Sequence, residues 1–278
     1  MKNEIGLAFP NIDPVAFSLG PLSVKWYGLA YLVSLLLAIF YIKKLSKTTS
    51  LWQKNPNIKS ETVDDLGFYA FLGVFFGGRL GYVLFYNLSY FIENPLKIFM
   101  VWDGGMSIHG GILFSALILL VFSRVKKIYY RHIFDLAAAA LPIGLLIGRI
   151  ANFVNGELYG NVTNVAWAVR FPAGGGVPRH PSQLYEAALE GLFTLIILSI
   201  LVWKFKSFKR PGLTAGVFGI LYSVSRIFVE FFRVPDQQIG YYFEFITQGM
   251  ILSIPMLLLG IYFVVTSNAA RIKAESFK

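Results

Sequence analysis

Gly148-Arg149-Ile150-Ala151-Asn152-Phe153-Val154-Asn155-Gly156-Glu157-Leu158-Tyr159-Gly160 closes an apolar run that begins near residue 133. The run is long enough to be a membrane helix, since a bilayer core takes roughly 20 apolar residues at helical rise. Its last turns nevertheless carry an arginine and an asparagine, with a second asparagine and a glutamate just beyond. Arginine at mid-bilayer costs roughly 2.5–3.5 kcal/mol even on the mildest insertion scale. Groups that expensive usually line a polar cavity and act there. The segment therefore predicts a membrane fold and a polar site at one end of a helix.

The rest of the chain agrees with a membrane fold. Of its 278 residues, 56% are hydrophobic and only 14% charged, too few to cover a water-soluble surface of this size. Mean hydropathy is +0.61. Apolar runs near the spanning length recur at 22–42, 66–86, 108–125, 133–154, 185–203, 212–232 and 244–266, which predicts an all-α, polytopic membrane protein of about seven transmembrane helices. The first run is too long for a cleaved leader and lacks a small-residue cleavage site, so it is expected to be a span. No attached soluble domain and no internal repeat is evident, and residues 1–278 read as one integral-membrane domain.

The net charge of +10 is not a nucleic-acid signature. The basic residues fall in alternate loops. Lys43, Lys44, Lys47, Lys54 and Lys59 follow span 1. Arg124, Lys126, Lys127 and Arg131 follow span 3, and Lys204, Lys206, Lys209 and Arg210 follow span 5. Arg271, Lys273 and Lys278 lie in the tail. The positive-inside rule makes these loops cytoplasmic, with the N-terminus outside and the C-terminus in the cytoplasm. The polar end of the 133–154 span then faces outward.

There is no cysteine, which excludes a disulfide framework, a thiolate metal site and a cysteine nucleophile on this chain. His109, His132 and His180 are the only histidines, too few for a His-rich metal site, so neither metal nor cofactor is expected. On the outer side, residues 87–106 are aromatic-rich and contain Pro95, which suggests an interfacial arm. Residues 161–183 hold Gly174-Gly175-Gly176 and Pro178 and read as a mobile loop capping the outer end. Most aromatic residues are assigned to the lipid face and the interfacial belts.

Three polar constellations stand out. Arg149 and Asn152 share a helical face, and Gly156 ends the helix so that Glu157 can turn back toward them. Asn155 completes this group. Arg226, Glu230 and Arg233 repeat at i, i+4 and i+7 and stack on one face. Glu230 would hold both arginines, and the remaining positive charge asks for an anion. A phosphate fits the planar fork of guanidinium donors. The bland reading is a salt-bridge ladder with Arg233 snorkelling. The third group is Trp102-Asp103-Gly104-Gly105-Met106-Ser107-Ile108-His109-Gly110-Gly111, where glycines admit a close backbone approach to a histidine entering a span. A neutral imidazole there can act as a general base.

Weaker signals are Arg79 and Tyr27. Arg79 is costly inside span 2 and is expected to face the cavity. Gly73, Gly77 and Gly81 around it read as close helix packing. In Arg179-His180-Pro181-Ser182-Gln183-Leu184-Tyr185-Glu186, Ser182 reads as the N-cap of span 5 with Glu186 early in that helix. A structural role is at least as good a reading of His180 as a catalytic one.

Together these segments resemble the prolipoprotein diacylglyceryl transferase family. The most specific match is Gly148-Arg149-x-x-Asn152-Phe153-x-Asn155-Gly156-Glu157, continuing to Gly160. It is supported by Asp103-Gly104-Gly105-Met106-Ser107-x-His109-Gly110-Gly111, by the Arg179–Glu186 segment and by Arg226-x-x-x-Glu230-Phe231-Phe232-Arg233. The resemblance runs from about Phe9 to Leu259. Two departures are a shorter outer connection after Gly160 and Tyr159 where some members carry tryptophan.

The resemblance implies an enzyme of the bacterial plasma membrane with its site toward the outer side. It would move a diacylglyceryl group from phosphatidylglycerol to the lipobox cysteine thiol of a prolipoprotein signal peptide. A thioether forms and glycerol phosphate leaves. Arg149 and Arg226 would then stabilise the phosphate. His109, or Glu157 as its rival, would take the thiol proton. Asn152, Asn155, Gly160, Tyr27, Arg79, Glu230 and Arg233 would bind or position the substrates. A solute transporter and a non-catalytic scaffold are the competing classes. The outward clustering of the polar groups disfavours the transporter. Loss of function on substituting Arg149 or His109 would exclude the scaffold.

Overall fold

A computed structural model describes residues 6–10, 12–13, 15–19, 22–53, 58–101, 104–235 and 240–276. Trp102 and Asp103 of the histidine segment, and Lys54 and Lys278 of the basic loops, lie outside the described residues.

Among the described residues, seven helices are long and apolar enough to cross a bilayer. They are α1 (Trp26–Lys47), α2 (Ser60–Tyr86), α4 (Ile108–Val125), α5 (Tyr130–Val154), a composite span over Ser182–Trp203, α8 (Leu213–Glu230) and α9 (Gln248–Val265). The composite span is α6 (Ser182–Glu186), a π-helical stretch (Ala187–Phe193) and α7 (Thr194–Trp203). A short α3 (Leu88–Glu93) lies between α2 and α4, and α10 (Ser267–Ser276) follows α9. Connections alternate between a basic end and a loop-rich end.

Several boundaries differ from the hydropathy reading by three to six residues. Span 1 starts at Trp26, because β3 (Leu22–Lys25) pairs antiparallel with β2 (Val15–Leu19). Span 2 starts at Ser60, six residues earlier than expected. Its first turns are polar, and Asp64 and Asp65 pair with Lys43 and Lys126 at 2.6 Å each, tying the basic ends of α1, α2 and α4. Span 5 starts at Ser182. Hydropathy marks where the apolar layer lies, whereas backbone hydrogen bonding continues a helix through polar turns beyond it.

Inside lipid there is no hydrophobic drive between helices, so close packing at small residues matters most. A Cβ on Gly73 would lie 2.6 Å from Ser115 Cα, and one on Gly77 would lie 2.8 Å from the Gly110 carbonyl. The α2–α4 contact is thus made backbone to backbone, as the glycine spacing predicted. At the α8–α9 contact a Cβ on Gly216 would lie 2.7 Å from the Gly260 carbonyl.

The main apolar core sits toward the basic end, around Leu45, Leu51, Leu66, Ile133, Leu136 and Phe208. There the fully buried Asp135 accepts from the backbone N–H groups of Gly212 (2.7 Å) and Ala215 (2.9 Å). It satisfies orphan donors at the start of α8 from another helix. Rings such as Phe68, Phe71 and Phe76 point outward, as lipid-facing side chains do.

The loop-rich end contains short paired strands. β1 (Leu7–Ala8) pairs parallel with β4 (Val169–Arg170), which pairs antiparallel with β5 (Pro178–Arg179). The helical bundle therefore carries a small β cap that the all-α reading did not contain. Gly175 (φ +79°) and Gly176 (φ +68°) turn the chain between β4 and β5 in a region that favours glycine. Phe9, Phe153 and Phe171 cluster with ring centroids 5.3–5.9 Å apart and fasten this cap to the end of α5. The 161–183 connection is thus a hydrogen-bonded cap.

The arm expected at 87–106 is present as α3 and a 3-10 turn at Pro95–Phe99, with Ile92, Leu96 and Phe99 strongly exposed. Its anchor is Arg79. The guanidinium donates to the carbonyls of Lys97 (2.6 Å), Ile98 (2.8 Å), Met100 (3.1 Å), Gly105 (3.1 Å) and Gly104. Arg79 was expected to face the cavity as a substrate ligand. Its donors are instead taken up by the arm, where the 3-10 turn and the irregular segment after it turn five carbonyls toward the guanidinium.

Candidate active site

Arg149 near the end of α5, Arg226 and Glu230 at the end of α8, and Arg233 just beyond it converge at the loop-rich end. Two further carboxylates converge with them, Glu186, which the sequence reading placed early in a capped helix, and Glu190, which it did not single out; both are fully buried. Arg149 Nε lies 2.5 Å from Glu186 Oε2, and Arg149 Nη2 lies 3.8 Å from Glu190 Oε2. Arg226 Nη1 lies 3.0 Å from Glu186 Oε1 and 3.8 Å from Glu190 Oε1. Arg226 Nη2 is also ion-paired to Glu230 Oε1, and Arg233 Nη1 to Glu186 Oε1. Arg233 Nε lies 3.3 Å from Glu230 Oε1.

This changes the charge argument. The arginines were expected to leave a positive surplus. The structure sets Arg149, Arg226 and Arg233 against Glu186, Glu190 and Glu230, so the cluster is balanced when all six are ionised. Glu230 does lie between Arg226 and Arg233 as expected. Glu186 is the hub that touches all three arginines.

Local backbone explains the hub. Ser182 was expected to cap span 5. The helix begins at Ser182 itself, which donates its hydroxyl to the Leu158 carbonyl at 3.0 Å, while the buried Gln183 donates to the Glu157 carbonyl at 2.5 Å. These bonds tie the composite span to the segment after α5. Beyond Glu186 the helix widens into the π-helical stretch, a feature frequent at functional sites. Gly191 in that stretch lets it touch α5, because a Cβ there would lie 2.6 Å from Leu146 Cα. Leu146 is one turn before Arg149, so this contact brings both glutamates to the arginine. A signal was present in the sequence: Glu186 and Glu190 are carboxylates inside an apolar span, the same anomaly that singled out Arg149.

A second polar group sits beside the first. Gly156 has φ +66°, and the chain reverses there so that Glu157 Oε1 accepts from Asn152 Nδ2 (2.9 Å) and Asn155 Nδ2 (3.4 Å). The Tyr27 hydroxyl pairs with that of Tyr31 at 2.8 Å. It is also in polar contact with the Asn152 side chain and feels the Glu157 charge. Arg149 and Asn152 share a face yet serve the two different groups. An open cavity of about 400 Å³ lined by Asn155, Glu157, Tyr159 and Arg233 lies at the outer edge of both groups.

His109 stands in the first turn of α4. Ser107 caps that helix by accepting from Gly110 N at 3.1 Å. Both imidazole nitrogens of His109 are buried without a hydrogen-bond partner among the described residues, and Arg226 is a charged neighbour. Gly160 needs its lack of a side chain, since a Cβ would lie 2.8 Å from His180 Cβ and collide with the Phe232 carbonyl. It donates to the His180 carbonyl at 2.8 Å and bridges to Arg233 in the strand manner. Gly160 therefore fixes the cap against Arg233. His180 lies outside the spans, with Nδ1 3.0 Å from the Tyr185 hydroxyl, and partial burial holds its pKa below the ordinary 6.5. That contact fits the structural reading of His180.

Seven helices long and apolar enough to cross a bilayer, with a buried arginine–glutamate cluster and a buried imidazole at the loop-rich end, define a polytopic membrane protein with a dense polar site inside its bundle. The model of the prolipoprotein diacylglyceryl transferase family matches residues 14–266. The chain is 54% identical over 266 residues to the phosphatidylglycerol–prolipoprotein diacylglyceryl transferase of Brucella canis, covering 95% of each chain. The proteins of the same name from Brucella ovis and Brucella suis match at the same identity, 54%, and coverage, 95%. The chain belongs to the prolipoprotein diacylglyceryl transferase family and is a membrane transferase of lipoprotein biosynthesis.

Proposed function

We propose that this protein moves the diacylglyceryl group of phosphatidylglycerol onto the thiol of a lipobox cysteine in a prolipoprotein signal peptide, at the outer side of the bacterial plasma membrane. The observation that carries this reading is the convergence of Arg149, Arg226 and Arg233 on one buried cluster beside His109, in a chain that lacks any cysteine of its own. The nucleophile then comes from the substrate.

His109 accepts the thiol proton, because its ring nitrogens have no partner among the described residues and the thiolate is the reactive form. Sulfur attacks the glycerol carbon that bears the phosphate. The carbon–oxygen bond breaks, and its electron pair stays with the departing glycerol phosphate. Each guanidinium carries five N–H donors in a fixed fork, and the ion pairs to Glu186, Glu190 and Glu230 engage only some of them. The carboxylates hold the forks in place, and the remaining donors of Arg149 and Arg226 stabilise charge growing on the phosphate. The proton taken by His109 passes to the leaving group or to water, which balances the step.

Asn152, Asn155, Glu157 and Tyr27 form the adjoining polar group that positions the head group or the peptide, with Arg233 at the shared cavity. Arg79 supports the arm, whose exposed apolar face suits the outer leaflet. The decisive experiment incubates purified protein with phosphatidylglycerol and a lipobox peptide. Mass spectrometry should find a diacylglyceryl adduct on the cysteine. A peptide left unmodified by folded protein supplied with phosphatidylglycerol would overturn the reading.

A further inference from the structure

Glu230 ends α8, and its carboxyl group lies against the first turn of α9. Thr247 caps that turn by accepting from Met250 N at 3.2 Å, and Gly249 sits inside it. A Cβ built on Gly249 would meet Glu230 Oε1 at 2.8 Å, Glu230 Cδ at 2.9 Å and Glu230 Oε2 at 3.3 Å, and these are its three nearest neighbours. The contact has two consequences. The positive end of the α9 dipole faces an anionic carboxylate, which is favourable. The missing side chain also leaves the space in which that carboxylate reaches both Arg226 Nη2 and Arg233 Nε.

We infer that Gly249 is a positioning residue: its missing side chain sets the Glu230 carboxylate, and through it the guanidinium of Arg226. The inference rests on the assignment of Arg226 and Glu230 to the active site. The three atoms nearest a methyl group at 249 all belong to the end of one flexible side chain, which can yield while the helix backbone stays where it is. The carboxylate moves instead, and Arg226 loses the partner that fixes one edge of its fork. Alanine is also the better helix former, so a glycine serving only α9 would be improved by the change.

The test compares Gly249→Ala, Glu230→Asp, Glu230→Gln and the double variant Glu230→Asp/Gly249→Ala, in full-length protein with phosphatidylglycerol and a cysteine peptide. Gly249→Ala should lower kcat between about tenfold and about a hundredfold, the range for a small misplacement of a reacting constellation. KM for the peptide should hold. Shortening the acid makes room for the methyl, so the double variant should turn over faster than Gly249→Ala alone. Losses that simply multiply would overturn the inference.

Thermal stability in detergent provides a second arm. Any fall in Tm caused by Gly249→Ala should vanish in a Glu230→Ala background. An equal fall in both backgrounds would show that Gly249 serves helix packing and would overturn the inference. The two levels can be separated. Impaired Glu230→Gln with unimpaired Gly249→Ala refutes the role of Gly249 alone, whereas full activity in Glu230→Gln removes the site assignment and this inference with it.

Discussion

Arg149→Lys separates charge from geometry at the heart of the cluster. Arginine holds Glu186 through Nε at 2.5 Å and approaches Glu190 through Nη2 at 3.8 Å, using two edges of one rigid plane. Lysine keeps the charge, so the balance of three cations and three carboxylates survives and the protein should fold. Its single ammonium cannot hold Glu186 and also present a fork to a phosphate. Removing one preorganised donor from a developing anion costs about 2.7–4 kcal/mol, or about two to three decades in kcat. Arg149→Ala should look different. It strips one partner from two buried carboxylates, and breaking buried pairs costs about 3–5 kcal/mol of stability. The assay is the initial rate of adduct formation with phosphatidylglycerol and a cysteine peptide, run beside melting in detergent. The expected pattern is Arg149→Lys folded and slow, and Arg149→Ala slow and destabilised. Near wild-type turnover in Arg149→Lys would refute the claim that the guanidinium fork is what the reaction uses.

Arg226 keeps contacts to Glu186 and Glu190 when Glu230 is neutralised, so Glu230→Gln should be impaired less than Arg226→Ala. The double variant should be little worse than Arg226→Ala, since residues acting as a unit are non-additive, and independent losses would show that Glu230 has a separate task. His109→Gln should lose turnover while still binding phosphatidylglycerol, and retained turnover would move the base role to Glu157 or water. Reporter fusions at Lys127 and Lys209 should read cytoplasmic and one at Gly175 external, and the reverse pattern would put the site on the wrong face. Because partial burial depresses the pKa of His180, the folded cap binds protons less readily than the unfolded chain. Its contribution is present above the ordinary value of 6.5 and is lost as pH falls through the lower folded value. His180→Gln should flatten that acid limb in a melting series, and an unchanged limb would show that other groups set it.

The membrane fold was legible because a bilayer imposes a length on every apolar helix, and seven runs of that length stand out. Arg149 and Arg226 were legible for the converse reason: charge in such a run is costly and needs a use. Gly156 and Glu157 were legible because a helix-ending glycine returns the next side chain toward the helix. Glu186 and Glu190 carry the same anomaly as Arg149, yet Glu186, soon after His180-Pro181-Ser182, resembled part of a capped helix start, and Glu190 one turn further on was not singled out. What the sequence alone determined is therefore local: which segments span, which residues are too polar for their surroundings, and which family signature they form. Pairing was decided by tertiary structure. The touch of Gly191 on Leu146 and the bonds of Ser182 and Gln183 bring Glu186 to Arg149, the carbonyls of the arm claim Arg79, and the first turn of α9 leaves the space that Glu230 fills. The reason is physical. Periodicity fixes which face a side chain shares along one helix, but the partner across a helix contact depends on backbone approach distances that no spacing within a single segment encodes.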